Sequence, residues 1–261
     1  NTRYSTGQGT QQDVFKAQVE LSKMQEELIK LQSMKGDMTA MFNALLNRNK
    51  MDSVQIPLEI KYQKINLLMD SLMRDADANS PMVLASKKML GKDSATYMLA
   101  KTSKIPDFNT GLWYGQRQAM MPDGNKAPDM LGFTFGITLP VYSKQKQNPL
   151  IAESAINIQE SQASVETTQN EVELMIHHGI IDALKNERLI VLYNTQLIPQ
   201  ATASLNAGIT GYQENKIDFM TLVDNFLSLY NYQLEYYQAV ADYYKAVAEI
   251  EMFTGRKLIT Q

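Results

Sequence analysis

Three acids stand near the starts of two long helical stretches: Asp13 in one, Asp218 and Asp224 in the other. Carboxylates there are favoured by the positive end of the helix dipole, and on their own they read as solvated first-turn residues. The only histidines, His177 and His178, are adjacent. Helical neighbours point about 100° apart, so the pair is not the i, i+4 chelate of zinc helices. Met120, Met121 and Met130 gather thioethers in one stretch. Thioethers suit Cu(I), although flexible loop residues are the plainer reading. There is no Gly-rich phosphate loop, no metal-spaced His/Cys set and no Ser-His-Asp arrangement. The expectation is a protein that is not an enzyme, with no catalytic residue, metal site or cofactor.

Composition narrows the classes further. Of 261 residues, 44% are hydrophobic and 20% charged, with a net charge of -3. That suffices for one or two packed domains and leaves no basic footprint for nucleic acid. Cysteine is absent, which removes disulfides and thiol chemistry. No apolar run reaches the roughly 18 residues of a membrane-crossing helix, so any membrane role must come through β-strands. No signal peptide opens the chain; Asn1 to Gly7 reads like the middle of a longer protein.

The elements that must position these residues are mostly helices. From Gln11 to Asn47, Val14, Leu21, Leu28 and Phe42 interleave at three and four with Ala17, Met24, Leu31, Met38 and Leu45. That is a coiled-coil seam. A linker with breakers Asn49, Asp52 and Pro57 follows. A short helix is expected over Ile65 to Arg74, then one capped by Ser80 with Pro81 first, ending near Thr102.

The period then changes. In 106–118, Phe108, Thr110, Leu112 and Tyr114 share one side; Asn109, Gly111, Trp113 and Gly115 share the other. In 131–142, Leu131, Phe133, Phe135, Ile137, Leu139 and Val141 alternate with Gly132, Thr134, Gly136 and Thr138. Each stretch matches the roughly 9–11 residues of a tilted transmembrane strand. Trp113, Tyr114, Phe133 and Tyr142 could then form an aromatic girdle, with Phe135 a further membrane-strand residue. The alternative is a small soluble hairpin core.

Helical periodicity returns near Asn148-Pro149 and runs to about Gly211, with a kink expected at Pro199. Sixty helical residues span roughly 90 Å, unusual for a globular protein. A polar turn at 212–218 leads to a last helix over about 219–254. That helix carries two offset seams. Leu222, Phe226, Leu229, Tyr236, Val240, Tyr243, Val247 and Ile250 make one; Val223, Leu227, Tyr230, Leu234, Tyr237, Ala241, Tyr244 and Ala248 make the other. Two seams mean a neighbour on each flank, the requirement for a closed ring of helices with water inside.

A gapless shift of 208 residues lays the first helix on the last: Tyr4 on Tyr212, Leu21 on Leu229, Leu45 on Phe253, Asn47 on Gly255, Arg48 on Arg256. The expected organisation is the end of a truncated first repeat at 1–56 and a complete second repeat at 57–261. Within the second lie helices at 57–104, the hairpin at 105–143, the long helix at 144–211, the tip turn at 212–218, the return helix at 219–255 and a tail at 256–261.

Three tracts carry a family resemblance: Ile105-Pro106-Asp107-Phe108; Gly136-Ile137-Thr138-Leu139-Pro140-Val141-Tyr142; and Tyr212 through Asp224. They resemble the TolC-like outer membrane efflux proteins, the last matching the family's Tyr-x-x-Gly-x-x-Asp-Phe-x-x-Leu-x-Asp turn with Asn215 in place of Gly. The tract Tyr4 to Val14 keeps that glycine as Gly7. General similarity favours the heavy-metal efflux subgroup.

The resemblance implies a mainly α fold, with long antiparallel coiled-coil helices and one β-hairpin: a TolC-like α-barrel plus transmembrane β-barrel protomer, truncated at its N-terminus. It implies a homotrimer in outer-membrane lipid with a periplasmic helical tunnel, loaded by a periplasmic adaptor and an inner-membrane pump for efflux or type I secretion. The family's barrel has twelve strands, and three copies of this chain would supply six. Asp13 and Asp224 match the constricted tunnel end, where threefold symmetry would gather six carboxylates and raise some of their pKa values. Asp218 would join this acidic mouth, and Thr221 holds a place where the best-known pattern has a second acid. Thr6, Gly7 and Gln8, and Glu214, Asn215 and Lys216, match turns that meet the adaptor. Two other readings exist. A soluble periplasmic coiled-coil adaptor should carry a Gly/Val-rich lipoyl-like or β-barrel domain. A helical pore-forming toxin should carry an apolar helical hairpin.

Overall fold

The computed structural model describes residues 11–55, 60–118, 120, 124 and 127–259. Among these the chain forms helix α1 (Gln11–Leu45), α2 (Met69–Asn79), α3 (Pro81–Thr102), strands β1 (Asp107–Gly115) and β2 (Met130–Thr138), then α4 (Gln147–Leu192), α5 (Ile198–Gln213) and α6 (Phe219–Thr254). A π-helical turn, Tyr193–Leu197, joins α4 to α5. This is the expected mainly α chain of long helices with one antiparallel strand pair.

The chain divides into two compact units, Asn1–Ile65 with Asp182–Lys245, and Asn66–Ile181 with Ala246–Gln261. In the second, Leu72, Ala76, Val83, Val172, Ile176 and Ile250 form a core, backed by Leu67, Met73, Ile180 and Phe253. Small residues set the spacing there. A Cβ on Gly179 would stand 2.7 Å from Ile250 Cγ1, so the helices meet closely only because none is present. In the first unit, Ala183, Ile190, Ala201, Ala239, Val240 and Tyr243 are the buried apolar side chains.

Helix α2 begins later than its sequence suggests. Residues 60–68 form no helix, and part of their backbone is held by side chains of α6. Ile65 N–H donates to the Tyr243 hydroxyl (2.9 Å) and Gln63 N–H to the Tyr244 hydroxyl (3.1 Å), which itself donates to Lys61 C=O (2.8 Å). Lys64 pairs with Glu187 at 2.6 Å. A segment with such partners gains little by coiling one turn sooner. Ser80 holds the N-cap position before Pro81, but its buried hydroxyl makes no capping bond. Its contribution is an extended ψ of 122°, which Pro81 demands of the preceding residue.

The kink expected at Pro199 resolves into the π-helical turn. Proline lacks the N–H for its i−4 carbonyl and its ring crowds that carbonyl. One residue is absorbed upstream instead, with Ile198 N–H bonding Tyr193 C=O.

Helices α1 and α6 end alike. Asn47 (φ 52°) and Gly255 (φ 66°), matched by the 208-residue shift, both take the left-handed conformation that closes a helix. One turn earlier, Asn43 Nδ2 donates to Lys50 C=O (3.3 Å) and Asp52 C=O (2.8 Å). Its counterpart Glu251 accepts from Leu258 N–H and, at 2.8 Å, from Ile259 N–H. Each side chain ties down the segment leaving its helix, with hydrogen-bond polarity reversed.

Candidate functional site

The two strands pair in register from Asp107 with Thr138 to Gly115 with Met130. Directly paired residues share a face. One face therefore collects Phe108, Thr110, Leu112 and Tyr114 with Ile137, Phe135, Phe133 and Leu131. All of its apolar members are exposed, from 51% at Ile137 to 73% at Leu112. Phe108 and Phe135 stack at 6.4 Å across it. The opposite face holds Asp107, Asn109, Gly111, Trp113, Gly115, Met130, Gly132, Thr134, Gly136 and Thr138. Mostly polar and small residues, with Trp113 and Met130 near the loop end, thus oppose an almost continuous aromatic and aliphatic surface.

The register separates the four residues of the expected aromatic girdle. Trp113 lies in β1 but on the face opposite Tyr114, Phe133 and Phe135, because its register partner is Gly132. Tyr142 is outside the strands: β2 stops at Thr138, and Tyr142 sits in the following turn. Pro140 ends the ladder because it brings no N–H. Tyr114 remains on the apolar face, its hydroxyl donating to Asp129 at the loop end.

At the other functional end, the tip turn closes α5. Asn215 is left-handed (φ 59°). Its N–H donates to Tyr212 C=O (3.3 Å) and the Lys216 N–H to Gly211 C=O (2.8 Å). This pair of bonds is the Schellman ending, which prefers Gly and tolerates Asn at the left-handed position. It turns Glu214 and Lys216 outward, paired with each other at 2.6 Å.

Asp218 then caps α6: its Oδ1 accepts the Thr221 N–H at 2.7 Å. That backbone bond, with the nearby Lys16 charge a lesser cause, holds its carboxyl below the ordinary aspartate range. So the structure brings Asp218 and Thr221 together as a helix cap. Asp224 is exposed further along α6, and Asp13 is half-buried in the first turn of α1. Thr6, Gly7 and Gln8 lie outside the described residues, as does Met121.

Sequence reasoning missed the groove beside this tip. Gln11, Gln12, Phe15, Lys16, Val19, Glu20 and Met220 line an open cleft of about 600 Å³. The signal was present: Phe15 and Val19 are apolar, spaced i, i+4, and lie off the α1 seam. Higher on α1, Leu31, Met34, Met38, Met41, Phe42 and Leu45 line a second, almost wholly apolar groove of about 580 Å³. On α6 the two seams differ. The C-terminal part of the first, Val240, Tyr243, Val247 and Ile250, is buried, whereas its Phe226 is 46% exposed and Leu234 and Tyr237 of the second are 46% and 52% exposed. His177 and His178 are both exposed. No group of three or more metal-ligating acids or histidines occurs among the described residues.

No protein-family model and no curated protein matches the sequence. Solved structures match its fold. The outer-membrane channel OprN shares it at TM-score 0.80 and 17% identity, over 98% of this chain and 58% of that one. The outer membrane protein VceC of Vibrio cholerae does so at 0.75 and 17%, over 99% and 61%. CusC, described in terms of transmembrane channel formation, matches at 0.72 and 13%, over 97% and 58%. The chain thus has the fold of TolC-like outer-membrane channels, and it spans about 60% of their length. All three are described as outer-membrane proteins or channels and none as an enzyme.

Proposed function

We propose that this chain is part of a TolC-like outer-membrane efflux channel, a passive exit duct that works as a homotrimer. The observation that carries the reading is the hairpin: two nine-residue strands, one face apolar and exposed, the other mostly polar and small. A water-filled barrel in lipid needs that alternation and roughly that strand length. The long helices at the hairpin's base would form the periplasmic tunnel. The half-exposed second seam of α6, around Leu234 and Tyr237, would pack against a neighbouring copy.

Residues 1–56 would end a first repeat and 57–261 form the second; the alike endings of α1 and α6 support this division. Asp13 and Asp224 would face the axis at the tunnel's narrow end. The turn Glu214 to Lys216, with Thr6, Gly7 and Gln8, would meet a periplasmic adaptor, which links the duct to an inner-membrane pump that chooses the cargo. The groove of Phe15, Val19 and Met220 belongs to the same docking surface. Assignment to the heavy-metal subgroup rests on the sequence resemblance alone. The adaptor reading is weaker, because a soluble protein would have to cover the apolar hairpin face.

Reconstitution of the full-length protein tests the reading. Stable trimers and stepwise conductance in a planar bilayer are expected. A monomer in detergent that opens no conductance would sink it.

A further inference from the structure

We infer that Trp113 is a cargo-contact residue inside the duct, at its outer mouth, and not part of a lipid-facing girdle. The inference rests on the channel reading above. Tryptophan in membrane proteins ordinarily marks the lipid–water interface on the outer surface. Here register puts Trp113 on the polar, small-residue face, which a barrel turns toward its water-filled interior.

The sheet is shaped to hold the indole there. A Cβ on Gly132, its cross-strand partner, would fall 2.7 Å from the indole Cζ2, and one on Gly115 would fall 3.2 Å from Cζ3. The ring therefore lies flat on a bed made by two glycines, which any side chain at Gly132 would fill. Aromatic cover over a strand glycine is a stabilising device in itself. But only one ring face is used, and Trp113 is 49% exposed. The free face is a π surface.

Position along the strand gives the location. Trp113 is two residues from the loop end of β1, while α3 and α4 attach at the opposite end of the hairpin. With the helices in the periplasm, the loop end opens outward. Threefold symmetry would place three indoles around the exit, where a planar organic molecule stacks on its way out.

The test uses the full-length trimer. In proteoliposomes, the fluorescence difference between wild type and Trp113→Phe isolates this indole. Iodide in the water should quench it, and brominated acyl chains should not. Gly132→Ala should strengthen the iodide quenching by lifting the ring from its bed. In a planar bilayer, ethidium added on the loop side should block current. Its dwell time should shorten roughly 2- to 10-fold in Trp113→Ala, as expected for one aromatic stacking contact. Quenching by the brominated lipid, or equal dwell times in a conducting channel, would overturn the assignment while leaving the duct intact. Absence of any conductance would remove both.

Discussion

A single arginine, moved by one residue along β2, separates the two faces of the hairpin. Phe135 and Thr134 are adjacent near the middle of the strand and point in opposite directions. Phe135 is 59% exposed. With roughly 200 Å² on a phenylalanine, about 120 Å² would meet lipid, worth about 3 kcal/mol at ~25 cal/mol per Å². Arginine at the midplane of the lipid face adds about 2–4 kcal/mol. Phe135→Arg should therefore cost about 5–7 kcal/mol per protomer, comparable with the whole stability of many domains. Thr134→Arg loses a 3.3 Å hydroxyl bond to Gly111 C=O on an exposed face. That is worth under about 1.5 kcal/mol, and the guanidinium enters water. The assay is denaturant unfolding of the full-length trimer in phospholipid vesicles, with trimer retention on unheated gels as a second readout. Equal losses for the two variants, or a larger loss for Thr134→Arg, would refute the assignment of faces.

Other expectations are local. Gly255→Ala combines a left-handed backbone (φ 66°) with a Cβ 2.9 Å from the Asn79 carbonyl carbon. Conformation alone costs about 1–2 kcal/mol, so thermal melting should fall by more than that penalty accounts for. Gly91→Ala, inside α3 with nothing within 4 Å of its Cβ, should instead stabilise by about 0.5–1 kcal/mol. The Asp218 cap has a defined pH window. Its folded pKa is depressed, so its contribution is present above the ordinary aspartate value of 3.8 and lost as pH falls through the lower folded value. Asp218→Asn keeps the acceptor and should remove this step from melting curves recorded toward acid, while Asp218→Ala should lower melting at neutral pH. Tyr237→Glu, on the exposed seam of α6, should abolish trimers in cross-linking and leave helical circular dichroism unchanged.

Much of the architecture was legible because it rests on period. The strand stretches alternate cleanly, and the end of α1 near Asn47 follows from the breakers beyond it. What sequence could not show were competitions settled in three dimensions. The start of α2 moved because Tyr243 and Tyr244, far along the chain, bind the backbone at Lys61, Gln63 and Ile65. Alternation had placed Trp113 correctly, opposite Tyr114; the girdle grouped them by aromaticity and overrode it. Tyr142 continued an alternating pattern past Pro140, where hydrogen bonding had already ended. Among the acids, Asp218 spends one carboxylate oxygen on capping α6, a local role the motif did not announce.

The apolar groove on α1 bears on the proposed repeat. Shifted by 208, its residues Leu31, Met38 and Phe42 fall on Ala239, Ala246 and Ile250 of α6, all three buried. A surface helix has no reason to carry Leu, Met and Phe at the positions its counterpart keeps dry. Exposed apolar patches of this kind mark contact surfaces. In α6 that surface is supplied with partners; in α1, among the described residues, it remains largely open, with Phe42 46% and Leu45 81% exposed. The apolar side chains therefore encode a helix pairing for α1 like that of α6.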